Sequence, residues 1–91
     1  MKPELTATPR LALAARLNDK NQQPRQLLLA NGSMRISGPS LEIVQLCDGR
    51  HAVQQIADKL CTLYPKAEPQ RVTDDLLNYL ALLHDQRAIE F

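Results

Sequence analysis

The sequence predicts an α+β fold of the winged helix-turn-helix type, in which a three-stranded antiparallel N-terminal sheet is followed by three helices. Two observations carry this prediction. Apolar residues recur at helical spacing on both sides of a corner at Asp48 and Gly49, which is typical of two helices joined by a tight turn. Earlier in the chain, two short apolar runs flank Asn31 and Gly32, and Asn-Gly is the strongest short-range indication of a β-hairpin.

The N-terminal part of the chain predicts a flexible tail over residues 1–10, because prolines and small polar residues give it nothing to pack against. Residues 11–91 then form a single domain. Leu13, Ala15 and Leu17 share one side of an extended segment, which predicts a first strand, although a helix is the alternative for this stretch. A polar loop that contains a proline follows.

The hairpin turn is predicted at Asn31 and Gly32. Four pairs then face each other: Ala30 with Ser33, Leu29 with Met34, Leu28 with Arg35, and Leu27 with Ile36. One face carries the core residues Leu27, Leu29, Met34 and Ile36. Leu28 and Arg35 point the other way, and the strand ends before Pro39, which suits the first position of a helix.

The first two helices meet at the corner. The first carries apolar residues from Leu41 to Cys47, and Gly49 in the left-handed conformation ends it. The second has one continuous apolar stripe, made of Val53, Ile56, Ala57, Leu60, Cys61 and Tyr64. Its cap position, Ala52, has no side-chain oxygen to accept a hydrogen bond from the helix.

A long third helix is predicted from Pro69 to about Gln86. Its core stripe consists of Val72, Leu76, Tyr79, Leu80 and Leu83. Thr73, Leu77 and His84 extend this stripe along one flank, and Leu82 lies near Asp75 on the opposite flank. Residues 87–91 alternate and can dock as a last strand.

Composition excludes several classes of function. The net charge is +1 and aromatic residues make up 3% of the chain, so both the basic surface for phosphate binding and the rings for base stacking are missing. No secretory signal or membrane span is recognised, and Cys47 and Cys61 on apolar helix faces indicate a reducing, cytoplasmic setting. A zinc site of these cysteines with His51 and His84 lacks the usual paired spacing, so no metal or other cofactor is predicted.

The order of these elements resembles the coenzyme PQQ synthesis protein D family. The residues that carry the resemblance span the chain from Pro9 onward: Pro9-Arg10, Ala15 to Leu17, Leu28-Leu29-Ala30, Leu46-Cys47-Asp48-Gly49-Arg50, Val53 with Ile56-Ala57, Leu60 with Tyr64-Pro65, and Asp75-Leu76. The chain departs from the family pattern at the Asn31-Gly32 turn, before the first helix, and at Ala52 and Gln55.

The resemblance implies a non-catalytic role: binding a ribosomally made precursor peptide and presenting it to a radical S-adenosylmethionine enzyme in pyrroloquinoline quinone biosynthesis. Strand addition to an open sheet edge is the physical mode that we expect. The candidate peptide-binding residues lie on the third strand and the third helix: Ser33, Met34, Arg35, Ile36, Ser37, Thr73, Leu77, Leu80 and His84. Arg35 on the outer face can meet an acidic residue of the peptide.

Alternatives remain open at this point. Thr73 and Leu77 are equally compatible with an extended core, and Arg35 with a solvated strand position. A winged-helix DNA-binding domain shares the topology, but the acidic residues along the third helix oppose it. A homodimer that pairs through the edge at residues 33–37, or a recognition element of a different ribosomal peptide pathway, are further alternatives. An enzyme is the least favoured class, because no catalytic constellation is recognised.

Overall fold

A computed structural model describes residues 3–19, 21–30, 32–36 and 38–91 of the chain. Five short strands and three helices follow one another in this described part. The strands are β1 (Arg10–Leu11), β2 (Arg16–Leu17), β3 (Gln26–Leu29), β4 (Gly32–Arg35) and β5 (Ile89–Glu90). The helices are α1 (Pro39–Leu46), α2 (Val53–Leu63) and α3 (Pro69–Asp85).

The strands form two separate antiparallel sheets. One has three strands in the order β2-β3-β4, and the other pairs β1 with β5. The α+β fold with a three-stranded sheet and three helices is therefore confirmed, and the small second sheet is an addition. None of the three described helices has the length and hydrophobicity that crossing a bilayer requires.

The register of the β3–β4 hairpin differs from the predicted one. Leu27 lies opposite Met34, whereas the sequence analysis places it opposite Ile36. The predicted register is wrong by two residues, and Gly32 belongs to β4 instead of the turn. Asn31, the other predicted turn residue, lies outside the described residues. Asn-Gly indicates that a hairpin is present, but the neighbouring side chains decide which residues pair.

A shift of two residues leaves every side chain on its predicted face, since the side-chain period of a strand is two. Leu27 and Ile36 are 0% and 3% exposed, and Leu29 and Met34 pack half-buried against the same core. Arg35 is exposed, as predicted, but it lies opposite Gln26 and not opposite Leu28.

The segment before β2 also differs from the prediction. The chain turns at residues 12–15, where the Ala15 N–H donates to the Ala12 carbonyl at 2.9 Å. Ala15 is buried, but Leu13 is fully exposed at the tip of this turn. The expectation that Leu13 shares a face with Ala15 and Leu17 is therefore wrong, because a turn breaks the alternation of an extended strand.

The corner between α1 and α2 is held by the N-terminal segment. Gly49 has a φ of 77°, so its predicted left-handed conformation is confirmed. Its N–H does not cap α1, however, but donates to the Pro9 carbonyl at 2.9 Å, and the Leu11 N–H donates to the Cys47 carbonyl at 3.1 Å. A Cβ atom at position 49 would lie 3.4 Å from the Cβ atom of Arg10. β1 therefore packs closely against the corner between α1 and α2.

Residues 3–10 also supply the acceptors that α2 needs at its start. The N–H of Val53 donates to the Ala7 carbonyl at 2.9 Å, and the N–H of Gln54 donates to the Leu5 carbonyl at 3.0 Å. The Gln55 side chain accepts a hydrogen bond from the Ala52 N–H at 2.7 Å, which compensates in part for the missing cap. Residues 3–10 therefore have hydrogen-bond partners in the domain, contrary to expectation, although the boundary between tail and domain stays a prediction.

The core lies between the helices and the inner faces of the two sheets. The predicted stripes of α2 and α3 are confirmed at their central positions, which are at most 4% exposed: Val53, Ile56, Ala57, Leu60, Leu76, Leu80 and Leu83. The C-terminal residues dock as a last strand, as predicted, and Ala88 and Ile89 are buried there.

Candidate functional site

The outer edge of β4 is the most distinctive feature of the three-stranded sheet. The Ile36 N–H donates to the Arg25 carbonyl of the neighbouring chain segment at 3.1 Å. Hydrogen-bonded pairs alternate along an antiparallel ladder, so the backbone groups of Met34 also point toward β3. Those of Ser33 and Arg35 consequently point away from the sheet.

The β2–β3 pairing supports this assignment independently. The Asn18 N–H donates to the Gln26 carbonyl at 2.9 Å, so residue 26 directs its backbone groups toward β2. Its neighbours on β3 then direct theirs toward β4, as the Ile36 bond requires. Within the described part of the chain no strand pairs with the far side of β4. Ser33 and Arg35 therefore present two N–H and two C=O groups on an open edge.

The side chains of β4 divide between the core and the solvent. Met34 packs half-buried against the core, and Ile36 is buried. Ser33 and Arg35 are exposed on the outer face. Ile36, which the sequence also predicts to bind peptide, has a buried side chain and an N–H that is bonded within the domain. Ser37, the last predicted residue of the edge, lies outside the described residues.

Helix α3 flanks the segment that contains β4. At the start of the segment, Leu29 and Ala30 line a cavity with Gln86. At its end, Pro39 lines another cavity with Tyr79. The chain segments before and after β4 thus each share a cavity with a residue of α3 or of its C-terminal cap.

One line of side chains along α3 connects the two ends of this segment at helical spacing: Asp75, Tyr79, Leu82 and Gln86. Leu82 lies in the middle of the line and its side chain is 46% exposed. A large apolar side chain that is exposed to this extent offers apolar area to an incoming chain. In the sequence Leu82 lies on the flank opposite to the predicted site, and its polar neighbours on the helix surface, Asn78 and Gln86, are the signal that marks it.

The flank predicted from the sequence lies elsewhere on α3. Leu77 is half-buried against the core, and the Thr73 hydroxyl donates to the Pro69 carbonyl at 3.0 Å. The His84 ring stacks on Phe91 with a centroid separation of 4.7 Å, next to β5. Leu80, which the sequence predicts both as a core residue and as a peptide-binding residue, is 0% exposed. The structure thus brings His84 to the C-terminal strand and Leu80 to the core.

Titratable groups near the corner act in packing and capping. Burial, and secondly the charge of Asp48, raises the pKa of the Cys47 thiol to about 12, so it stays protonated and unreactive at neutral pH. A hydrogen bond from His51, and secondly one from the Arg50 N–H, lowers the pKa of Asp48. Among the described residues no cluster of three or more His, Cys, Asp or Glu side chains is placed to hold a metal ion.

Comparison with known proteins agrees with this architecture. The family model of coenzyme PQQ synthesis protein D (PqqD) matches residues 25–89, which include the hairpin and all three helices. The chain belongs to the PqqD family. The matched region therefore contains both the open edge of β4 and the whole of α3.

Two individual relatives extend the match. A PqqA binding protein from Rahnella aquatilis is 30% identical over 73 residues, which cover 80% of this chain and 75% of the relative. The solution NMR structure of the PqqD truncation of Methylobacterium extorquens PqqCD superposes with a TM-score of 0.73 at 32% identity, covering 91% of this chain and 88% of that chain. That truncation is described as a functional, stand-alone recognition element for ribosomally synthesized and post-translationally modified peptides. The PqqD fold is shared over nearly the whole chain.

Proposed function

We propose that this chain is a non-catalytic, peptide-binding protein of pyrroloquinoline quinone biosynthesis that binds a precursor peptide of the PqqA kind as an added strand on β4. The observation that carries the proposal is the pair of outward-facing residues, Ser33 and Arg35, on an edge that no described strand covers. An extended peptide can satisfy their N–H and C=O groups in one antiparallel or parallel ladder. Membership of the PqqD family supports this role.

Backbone pairing supplies affinity but little sequence preference. A net hydrogen bond contributes about 0.5–1.5 kcal/mol, and the edge offers four outward groups, so side chains must add selectivity. Leu82 and Tyr79 form the wall of α3 that flanks the edge, and Leu82 offers apolar area to the peptide. Arg35 on the outer face attracts an acidic side chain of the peptide. The flank with Thr73, Leu77 and His84 is the competing wall.

The bound peptide is then presented to a radical S-adenosylmethionine enzyme, which performs the chemistry. In this role the PqqD protein keeps one part of the peptide fixed and leaves the modified part free. Cys47 and Cys61 are both unpaired thiols, which suits a reducing compartment such as the cytoplasm.

The test is a binding titration with a fluorescently labelled PqqA precursor peptide and a scrambled peptide of the same composition. We expect saturable binding of one PqqA peptide per chain and much weaker binding of the scrambled peptide. Addition of the radical S-adenosylmethionine enzyme should give a ternary complex in sedimentation velocity. Equal affinity for both peptides, or tighter binding to random duplex DNA, contradicts the proposal.

Self-association is measured in the same sedimentation experiment. If β4 of one chain pairs with β4 of another, the chain sediments as a dimer and peptide addition converts it to a monomer, because both occupants need the same edge. A dimer that persists at saturating peptide uses another surface and leaves the edge free for the peptide.

A further inference from the structure

A cavity opens where the edge of β4 ends and α1 begins. Its volume is about 440 Å³, and it lies between the start of α1, the end of α2 and the first half of α3. We call it the α1–α3 cavity. Its floor is apolar, because Ile43, Leu60 and Leu76 line it and are 5%, 4% and 1% exposed.

Polar groups of the α1–α3 cavity are concentrated at its rim. Tyr64 lines the cavity, but its hydroxyl donates to the Glu42 carboxylate at 2.7 Å, so the hydroxyl already has a partner. Asp75 stands on the rim with a side chain that is 73% exposed, and its ion pair with Arg71 spans 4.0 Å between two exposed groups. A contact of this kind is weak and easily exchanged for another cation. The cavity therefore combines an apolar floor with an accessible negative charge.

A peptide that pairs with β4 reaches this cavity where the strand pairing ends. Pro39 has no N–H and begins a helix, so strand pairing along the β4 segment must end before it. An extended chain advances about 3.3 Å per residue, so a peptide paired with Arg35 reaches Pro39 and Ser40 at the cavity within about four residues. The peptide leaves the ladder where an apolar cavity is available.

We propose that the α1–α3 cavity receives one large apolar side chain of the peptide that is bound at β4, and that Asp75 selects peptides with a Lys or Arg within two residues of it. Side chains two residues apart lie on the same face of an extended chain, so one side chain fills the cavity while the other reaches its rim. This inference rests on the proposed strand addition and adds a specificity site to it. In this proposal the cavity binds one side chain of the peptide, and the β4 edge binds its backbone.

The first test is NMR of the full chain with isotope-labelled methyl groups, titrated with the PqqA precursor peptide. We expect shifts at the methyl groups of Ile43, Val72 and Leu76 together with shifts at the amides of Ser33 and Arg35. The same peptide with its apolar residues replaced one at a time by alanine should lose the methyl shifts at a single position.

The second test compares two neighbouring carboxylates. Asp75→Asn should weaken peptide binding by about three- to tenfold at low salt and reduce its salt dependence. Asp74→Asn is the matched control, since Asp74 is also exposed on α3 but does not line the cavity, and it should change affinity less than twofold. Ser40→Phe, which places a ring at the cavity mouth, should abolish the methyl shifts.

The outcomes separate the two proposals. If the amides of Ser33 and Arg35 respond while the cavity methyl groups do not, and Asp75→Asn equals Asp74→Asn, the cavity inference is overturned and strand addition stands. If no PqqA peptide binds at all, strand addition itself fails. Should Ser40→Phe not fold, the two Asn variants and the methyl shifts of the natural chain decide.

Discussion

Two edge strands of this molecule, β1 and β4, differ in whether their outer side has a partner. In the β1–β5 sheet, Arg10 pairs with Glu90, and β1 is also bonded on its other side through the Leu11 N–H and the Cys47 carbonyl. In the three-stranded sheet, β4 pairs with β3 alone among the described strands. The outer side of β1 is thus bonded to the corner between α1 and α2, whereas the outer side of β4 has no partner among the described strands.

The side chains follow the same division. Ala88 and Ile89 at the β1–β5 sheet are at most 1% exposed. Ser33 and Arg35 on the open edge are exposed. An open edge is a hazard that proteins usually cover, and the proposed function uses this one as the binding surface for the peptide. The comparison predicts that damage to the β1–β5 sheet lowers stability, whereas damage to the open edge lowers peptide binding.

The largest expected effect is a loss of stability in the β1–β5 sheet. Ile89→Ala should lower the free energy of unfolding by about 2–4 kcal/mol, because it removes buried methyl groups and leaves a cavity. Urea denaturation measures this loss, and peptide affinity of the folded fraction should be unchanged. Ile89→Val, which keeps most of the volume, should cost about 1 kcal/mol. If the fully folded Ile89→Ala protein binds the peptide more weakly than the natural protein, the predicted separation between stability and peptide binding is contradicted.

On the open edge, Ser33→Pro should weaken PqqA peptide binding at least about tenfold. Proline removes an N–H that points to the peptide and not to β3, so the domain should keep its thermal midpoint within a few degrees. Ser33→Ala retains the N–H and serves as the control with near-natural affinity. Isothermal titration of the two variants measures the difference, and equal affinities exclude backbone pairing at this residue.

Matched substitutions on the two flanks of α3 show which flank faces the peptide. Leu82→Gln should weaken peptide binding by about fivefold with little loss of stability, since the leucine is 46% exposed. Leu77→Gln is the matched substitution on the other flank and should lower stability more than affinity, because Leu77 packs against the core. The reverse pattern supports the flank predicted from the sequence.

A smaller effect is expected at the surface of the β1–β5 sheet. Arg10 and Glu90 form an ion pair at 3.0 Å, but their side chains are 66% and 55% exposed. Arg10→Ala should therefore change the free energy of unfolding by about 0.5 kcal/mol or less, and added salt should reduce this difference. A loss comparable with that of Ile89→Ala contradicts the assignment of stability to buried apolar groups.

The smallest effect concerns acid stability at the corner. The His51 hydrogen bond holds the pKa of Asp48 below its ordinary value of 3.8. Its contribution is therefore fully present above about pH 4 and is lost as the pH falls through the lowered value in the folded protein. His51→Ala should make the unfolding midpoint less dependent on pH below about pH 4, as measured by circular dichroism. An unchanged acid profile excludes this coupling.

Local patterns in the sequence were sufficient for the helices and for the presence of the hairpin. The stripe from Val53 to Leu60 and the proline at position 69 predict helices that the structure confirms. The β1–β5 pairing was not predictable, because it joins two-residue strands that are nearly a whole chain apart, and such short segments carry no periodicity.

The side chains of the candidate site were predicted less well for a related reason. Helical periodicity shows that Leu77 and Leu82 lie on opposite flanks of α3, but it does not show which flank faces β4. That choice depends on where the chain segments before and after β4 pack. The edge itself was predictable in outline, since a hairpin after a first strand leaves its last strand outermost.

Amide hydrogen exchange along β4 tests the central claim most directly. In the free protein the amides of Met34 and Ile36 should exchange slowly and those of Ser33 and Arg35 quickly, and saturating PqqA peptide should slow Ser33 and Arg35 to the rates of their neighbours. If the peptide binds and the amides of Ser33 and Arg35 still exchange as fast as in the free protein, the peptide is not an added strand of this sheet.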